Sequence, residues 1–200
     1  MIALSRAYVS VRGAPAIDRI DARIFALRYF TDCMACSFCG DQCCSYGVDI
    51  DAANMDALRT LGPAFEAFVG VPAAGWFMPG LTRDAEFPSG AYGRTETCAG
   101  KCVFADPVGR GCRIHAWCLR HGLDYHAYKP LVSTLFPVTF EFGALVPSPE
   151  AVDGSLVCAG RGPTLYDGAR AELGHYFGDG FIAELDVLAA DRGGSGAATR

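Results

Sequence analysis

No block of basic residues relieves the acidic balance of this 200-residue chain, whose formal net charge is −5. An acidic chain without a basic stripe is not built to hold nucleic acid as a general partner. No apolar run approaches the length of a transmembrane helix, which excludes a membrane span as the expectation. The opening stretch MIALSRAYVSVRGAPAI lacks a sustained apolar segment, because Arg6 and Arg12 interrupt it, so no signal peptide is read there. The expected compartment is the cytoplasm. No repeat of fixed period, no Ser-His-Asp constellation and no dinucleotide-binding glycine fingerprint stands out. Paired carboxylates cannot be placed.

What the chain has in excess is cysteine, ten in all. With 51% apolar residues it can bury a real core and does not need staples to fold. In a reducing compartment clustered thiols more often bind metal than form disulfides. Five of the ten fall between Cys33 and Cys44, in the run CMACSFCGDQCC. Its C-x2-C-x2-C-x3-C spacing matches the bacterial iron–sulfur run, except that Cys44 takes the place of the usual proline. Thiols every third residue in a tight loop can converge on one centre. Four thiolates suit tetrahedral zinc as well as a 4Fe–4S cubane. The third closely spaced cysteine favours the cluster over zinc or mononuclear iron.

A second block holds Cys98, Cys102, Cys112 and Cys118. Cys118, between Trp117 and Leu119 on a helix, reads as a small buried hydrophobe. Cys43 and Cys44 are neighbours, so their side chains diverge or serve different centres. The expectation is one centre, formed by the first block with Cys102 or Cys112. His115, three residues after Cys112, is the histidine best placed to join it. Arg110, Arg113, Arg120 and Lys129 make the second block locally basic, a solvated face or a charge set against thiolates. Gly109-Arg110-Gly111 is too short for a phosphate loop.

The expected fold is α+β: one compact domain over 23–190, short strands and several helices wrapped around a cysteine-ligated metal or iron–sulfur centre. Residues 1–22 read as a weakly structured lead-in and 191–200 as a flexible tail. The run 23–30 suits a buried strand or short helix, and 45–50 a short strand. Asp51 caps a helix carrying Met55, Leu58 and Leu61. Gly62-Pro63 breaks it and opens a second, ending at Gly70. A stretch of loop and short strands follows over 70–97, with Trp76 and Phe77 as core. A helix over 114–121 closes at Gly122. The run 131–142 reads as strand, with Pro137 at an edge or bulge. Helices over 163–177 and from Asp179 end the chain, the last burying Phe181, Ile182, Leu185 and Leu188.

The run Cys36-x2-Cys39-x3-Cys43-Cys44, followed by SYGVDI and a helix, resembles the YkgJ-type cysteine-cluster proteins, a zinc- or iron-chelating family. Cys102-Val-Phe, Gly111-Cys112-Arg-Ile-His115, Lys129-Pro130 and Phe136-Pro137 resemble its second block, and Cys158 before a helix resembles the C-terminal part of one branch. The resemblance spans roughly 24–188. After the Lys-Pro pair that family carries another cysteine, where this chain has Ser133. The implied ligand set is Cys36, Cys39, Cys43, Cys44, Cys98, Cys102, Cys112 and Cys158. The implied role is metal or cluster binding with a redox or metal-carrying function. A similar cluster in flagellin lysine N-methylases leaves methyl or other group transfer to a protein or small substrate as an alternative. A zinc-stabilised structural or interaction module is another.

Overall fold

The computed structural model describes residues 1–32 and 36–195. The fold is α+β, as expected. Its contacts group into two compact units, Met1–Thr31 with the segment from Leu135 onward, and Asp32–Thr134.

The first unit opens on an antiparallel pair, β1 (Ile2–Val9) and β2 (Ala16–Ile20). Residues 1–22 are therefore not a weakly structured lead-in. Arg6 does not interrupt the strand: it takes an exposed position, with its guanidinium 4.5 Å over the Tyr8 ring. Ile17 and Ile20 are fully buried. A single 3-10 turn (Ala22–Phe25) follows, with Asp21 accepting from the Arg23 amide, and then β3 (Arg28–Tyr29). The run 23–30 is thus a short helical turn and a strand in succession.

The second unit contains both cysteine blocks. Here β4 (Asp49–Asp51) leads into α1 (Ala52–Thr60), and the Asp51 carboxylate accepts from the Ala53 amide as the expected N-cap. The other Asp51 oxygen accepts from the Ser89 amide and hydroxyl. α2 (Gly62–Val69) has Pro63 in its first turn and stops at left-handed Gly70. β4 pairs with β6 (Ala91–Arg94), which also pairs with β5 (Thr82–Arg83). The hairpin β7 (Thr97–Cys98) and β8 (Lys101–Cys102) comes next, and then α3 (Arg113–His121), closed by left-handed Gly122. Phe65 lies at the centre of the unit's core, edge-on to Trp76 at 5.3 Å and to Trp117 at 5.4 Å, with Phe104 stacked at 6.3 Å. Each such aromatic pair adds about 0.5–1.5 kcal/mol beyond burial. The Trp76 indole donates to the Val71 carbonyl.

The run 131–142 departs from the single strand expected. Leu131–Leu135 form the short helix α4, with Thr134 donating from its amide and hydroxyl to the Pro130 carbonyl. Proline at the head of a helix has the right φ already, and this local bonding outweighs β propensity. Only β9 (Val138–Glu141) is extended.

The first unit resumes there. β9 pairs with β10 (Ala144–Pro147), and β10 runs parallel to β2, giving a four-stranded sheet of order β1-β2-β10-β9. A short α5 (Pro149–Asp153) leads to β11 (Ala159–Thr164), which pairs with β3. Pro163 lies in that strand, and Thr164 rather than Pro163 starts α6 (Leu165–Phe177) by accepting from the Asp167 amide. α7 (Asp179–Ser195) buries Phe181, Ile182 and Leu185. Glu184 of α7 accepts from the Ser5 amide and the Tyr8 hydroxyl, holding β1 against the helix. The tail expected over 191–200 is helical as far as Ser195, and 196–200 lie outside the described residues.

Ile20, at 0% exposure, separates a true strand from a lead-in. Ile20→Ala is expected to cost about 2–5 kcal/mol, by transfer and cavity terms. Urea unfolding followed by circular dichroism checks it. A change below about 0.5 kcal/mol, as at an unpacked surface site, would return residues 1–22 to a lead-in.

Candidate metal centre

The first cysteine block turns on Gly40 and Asp41, two successive left-handed residues with φ of 58° and 57°. Glycine takes this conformation without penalty and aspartate tolerates it. The reversal buries Cys36, Cys39 and Asp41. The Cys36 and Cys39 sulfurs lie within 4.8 Å of each other. Cys33 lies outside the described residues.

Arg110, from the loop between β8 and α3, closes over this pair. Its Nε and Nη2 donate to the two Asp41 oxygens, both at 3.0 Å, and Nη2 also donates to the Cys39 sulfur at 3.0 Å. Nη1 donates to the Cys36 carbonyl. The loop itself is pinned by Asp106, which accepts from the Val108 and Gly109 amides. The Asp41 bond drives the Arg110 pKa further above its ordinary value, so the guanidinium is always charged. Burial pushes the Cys36 thiol up. Hydrogen bonds from Cys39, from the Phe38 and Cys39 amides and from Arg110 outweigh it, and Cys36 comes down to about 7.

The rest of the block winds as a 3-10 turn (Gln42–Tyr46). At three residues per turn, successive side chains point about 120° apart, so Cys43 and Cys44 diverge as expected. Cys44 acts electrostatically on Cys102 and on Cys112, and Cys112 acts on Cys102. Residues from both blocks therefore share one neighbourhood. Cys102 sits on β8, and Cys112 is the N-cap residue of α3. Burial raises both thiols. The Thr95 hydroxyl partly offsets this at Cys102, and the Lys129 charge with the His115 and Ile114 amides partly offsets it at Cys112. Both are neutral thiols at ordinary pH when no metal takes their protons.

Thr95 joins the blocks a second time. Its buried hydroxyl accepts from the Val48 amide at 2.8 Å and meets the Cys102 sulfur at 3.3 Å, while its own amide donates to the Val48 carbonyl. The approach is so close that a Cβ on Gly47 would lie 2.7 Å from the Thr95 carbonyl oxygen, and Gly47 also has a φ of 67°. Only glycine fits there.

The remaining residues separate. Cys98 is exposed on its hairpin and Cys43 is half-buried. Cys118 is fully buried in the aromatic core and pushed up to about 11, chiefly by burial, which fits the packing role expected of it. Cys158 belongs to the first unit, where it is buried and its carbonyl accepts from the Phe30 amide at 3.1 Å. None of the nine described cysteines is in a disulfide. The His115 ring packs on Tyr125 at 4.3 Å, and its amide serves Cys112. Of the basic residues, Arg110 meets thiols directly and Lys129 acts on Cys112 through its charge. Arg113 instead donates to the Val69 carbonyl, and it and Arg120 lie over the Phe68 ring. Asp41 and Thr95 escaped sequence reasoning, although an acid inside Gly-Asp-Gln-Cys-Cys was a signal for Asp41.

A buried pair of thiols with further thiols in the same unit can bind a metal ion. Comparison with protein-family models, with curated proteins and with solved structures gives no match for this chain.

The Cys36 environment predicts a pH dependence for the metal-free, reduced protein. Its folded pKa, about 7, lies below the ordinary thiol value, so the thiolate stabilises the fold above that ordinary value, and this contribution is lost as pH falls through about 7. Urea unfolding of the parent and of Cys36→Ala is expected to diverge between pH 6 and 9, with the parent gaining. A difference independent of pH would mean that Cys36 is not the ionised partner.

Proposed function

We propose that this chain is a metal-binding protein whose centre is held by cysteine thiolates, with a redox or metal-carrying role. The carrying observation is the buried Cys36–Cys39 pair with a guanidinium on its sulfur, in the same unit as Cys44, Cys102 and Cys112. A fixed positive charge beside thiols lowers the cost of gathering thiolates, which is what a metal or cluster requires. The C-x2-C-x2-C-x3-C run supports an iron–sulfur cluster of 4Fe–4S type as the occupant. The resemblance to the YkgJ-type family supports the same pairing of blocks. Cys158 stays in the proposed ligand set, as that resemblance implies.

Zinc is the second reading. Tetrahedral Zn–S bonds of about 2.3 Å place sulfurs about 3.8 Å apart, which the Cys36–Cys39 separation accommodates. The two readings share ligands and differ in inorganic sulfide.

Protein purified without oxygen is expected to be brown, with iron and acid-labile sulfide bound. Stoichiometric zinc without sulfide would replace the cluster by the zinc reading, and absence of any bound metal would end both. Cys39→Ser and Cys112→Ser are expected to lower the metal-to-protein ratio, because a hydroxyl is a poor ligand for soft metals. Cys118→Ser should retain it. Elemental analysis of the variants decides, and metal retained in full by both ligand variants would put the centre elsewhere. Cys158→Ser, run beside them, tests the contribution of that residue.

A further inference from the structure

We propose that Arg110 is the positioning residue of this centre, setting the affinity and electronic character of thiolate-bound metal at Cys36 and Cys39 through its hydrogen bond to the Cys39 sulfur. The inference rests on the thiolate-centre reading and assigns a role to a residue outside the ligands.

Three features of geometry carry it. The guanidinium has one face of its fork fixed: Nε and Nη2 grip both oxygens of Asp41, a bidentate arrangement that removes its rotational freedom. With the fork fixed, the remaining Nη2 proton is aimed at the Cys39 sulfur at 3.0 Å. Nη1 is engaged with the carbonyl of Cys36, so the same side chain holds the backbone of one thiol and the sulfur of the other. An arginine free to swing would solvate itself instead. Here Asp41, almost wholly buried, keeps it in place.

The charge count gives the consequence. Asp41 and Arg110 cancel, so the pair itself adds no net charge, yet it is the guanidinium that bonds the sulfur. A thiolate at Cys39 thus meets a donor without a change in overall charge. A hydrogen bond to a metal-bound thiolate draws electron density from the sulfur, favours the thiolate over the thiol that a metal must deprotonate, and orients its lone pairs. Arg113 and Arg120, in the same basic block, contribute nothing of the kind, because they lie over the Phe68 ring.

The test uses the reduced full chain without oxygen, titrated with cobalt(II). Binding is read from the thiolate-to-cobalt charge-transfer band and from competition with a chelator. Arg110→Met is expected to lower cobalt affinity about 10–100-fold, the usual effect of losing an outer-shell partner. It should also move the charge-transfer band to lower energy, a shift that a merely structural role would not produce. Arg120→Met should change neither. If Arg110→Met does not fold, the double variant Asp41→Asn/Arg110→Met, which removes the buried pair together, is measured with the same two readouts. A thiolate band in the parent with affinity within two-fold and an unmoved band in the variant overturns the role of Arg110 and leaves the metal reading intact. No thiolate band in the parent overturns both.

Discussion

The two cysteine blocks are joined by one buried ion pair, Asp41 with Arg110, formed across 69 positions of sequence. A buried carboxylate costs several kcal/mol unless a partner answers it. Asp41 is buried with Arg110 reaching it from the second block and the Gly111 amide beside it. Arg110 in turn is oriented by Asp41, which takes two prongs of its fork, and by the Cys36 carbonyl. The pair ties the reversal at Gly40 and Asp41, with its buried Cys36 and Cys39, to the loop 106–111 that Asp106 pins. Removing Arg110 alone leaves the Asp41 carboxylate buried without its guanidinium, which typically costs about 3–5 kcal/mol, far above the worth of a surface bridge, whereas Arg110, 26% exposed, can turn to water when Asp41 is removed. Arg94–Asp49 and Arg170–Asp186, both well exposed at each end, are bridges of that weaker kind.

Thr95 is a neutral version of the same device. One hydroxyl serves the Val48 amide and the Cys102 sulfur, so an amide after the first block and a thiol of the second are answered together. The thiols then divide by electrostatics. Cys36 sits among donors and loses its proton near neutrality, whereas Cys102 and Cys112 are held in the protonated form by burial. Metal uptake by Cys102 and Cys112 would release their protons.

The elements legible in the sequence were those whose signals are local. Asp51 as a cap, Gly62-Pro63 as a break, and Gly70 and Gly122 as helix ends each depend on the conformation of one or two residues, and each is found. Strands answer to partners that sequence does not reveal. β1 was hidden because its burial does not alternate regularly: the register shifts between Ala3 and Tyr8, and Arg6 stands there exposed, over the Tyr8 ring. At α4, β-branched residues follow a proline that satisfies the first helical turn, and the local bond decides. The candidate site was legible as a set of thiols and illegible as an arrangement. Spacing announced Cys36 and Cys39, and the bland role of Cys118 followed from its helix. Nothing within a few residues of Arg110 pointed to Asp41, because their pairing depends on how the aromatic core folds the intervening chain.

That core also bears on what a metal would contribute. Bringing Cys44 beside Cys102 closes a loop of more than fifty residues. The length-dependent entropic cost is about 3–4 kcal/mol, before the constant term. In a classical zinc finger the metal must meet such a cost, because little else holds the chain. Here Ile50, Leu58, Phe65 and Trp76, between the two blocks in sequence, and Phe104 and Ile114, within the second, are fully buried in one core, and at about 1.5–3 kcal/mol per large side chain their burial offsets that closure together with part of the ordering entropy of the chain. The Thr95–Val48 bonds and the Asp41–Arg110 pair then fix the loops on that core. The sulfurs are thus positioned in part by forces that do not depend on a metal, so a bound metal would contribute a smaller share of the folding energy here than in a zinc finger.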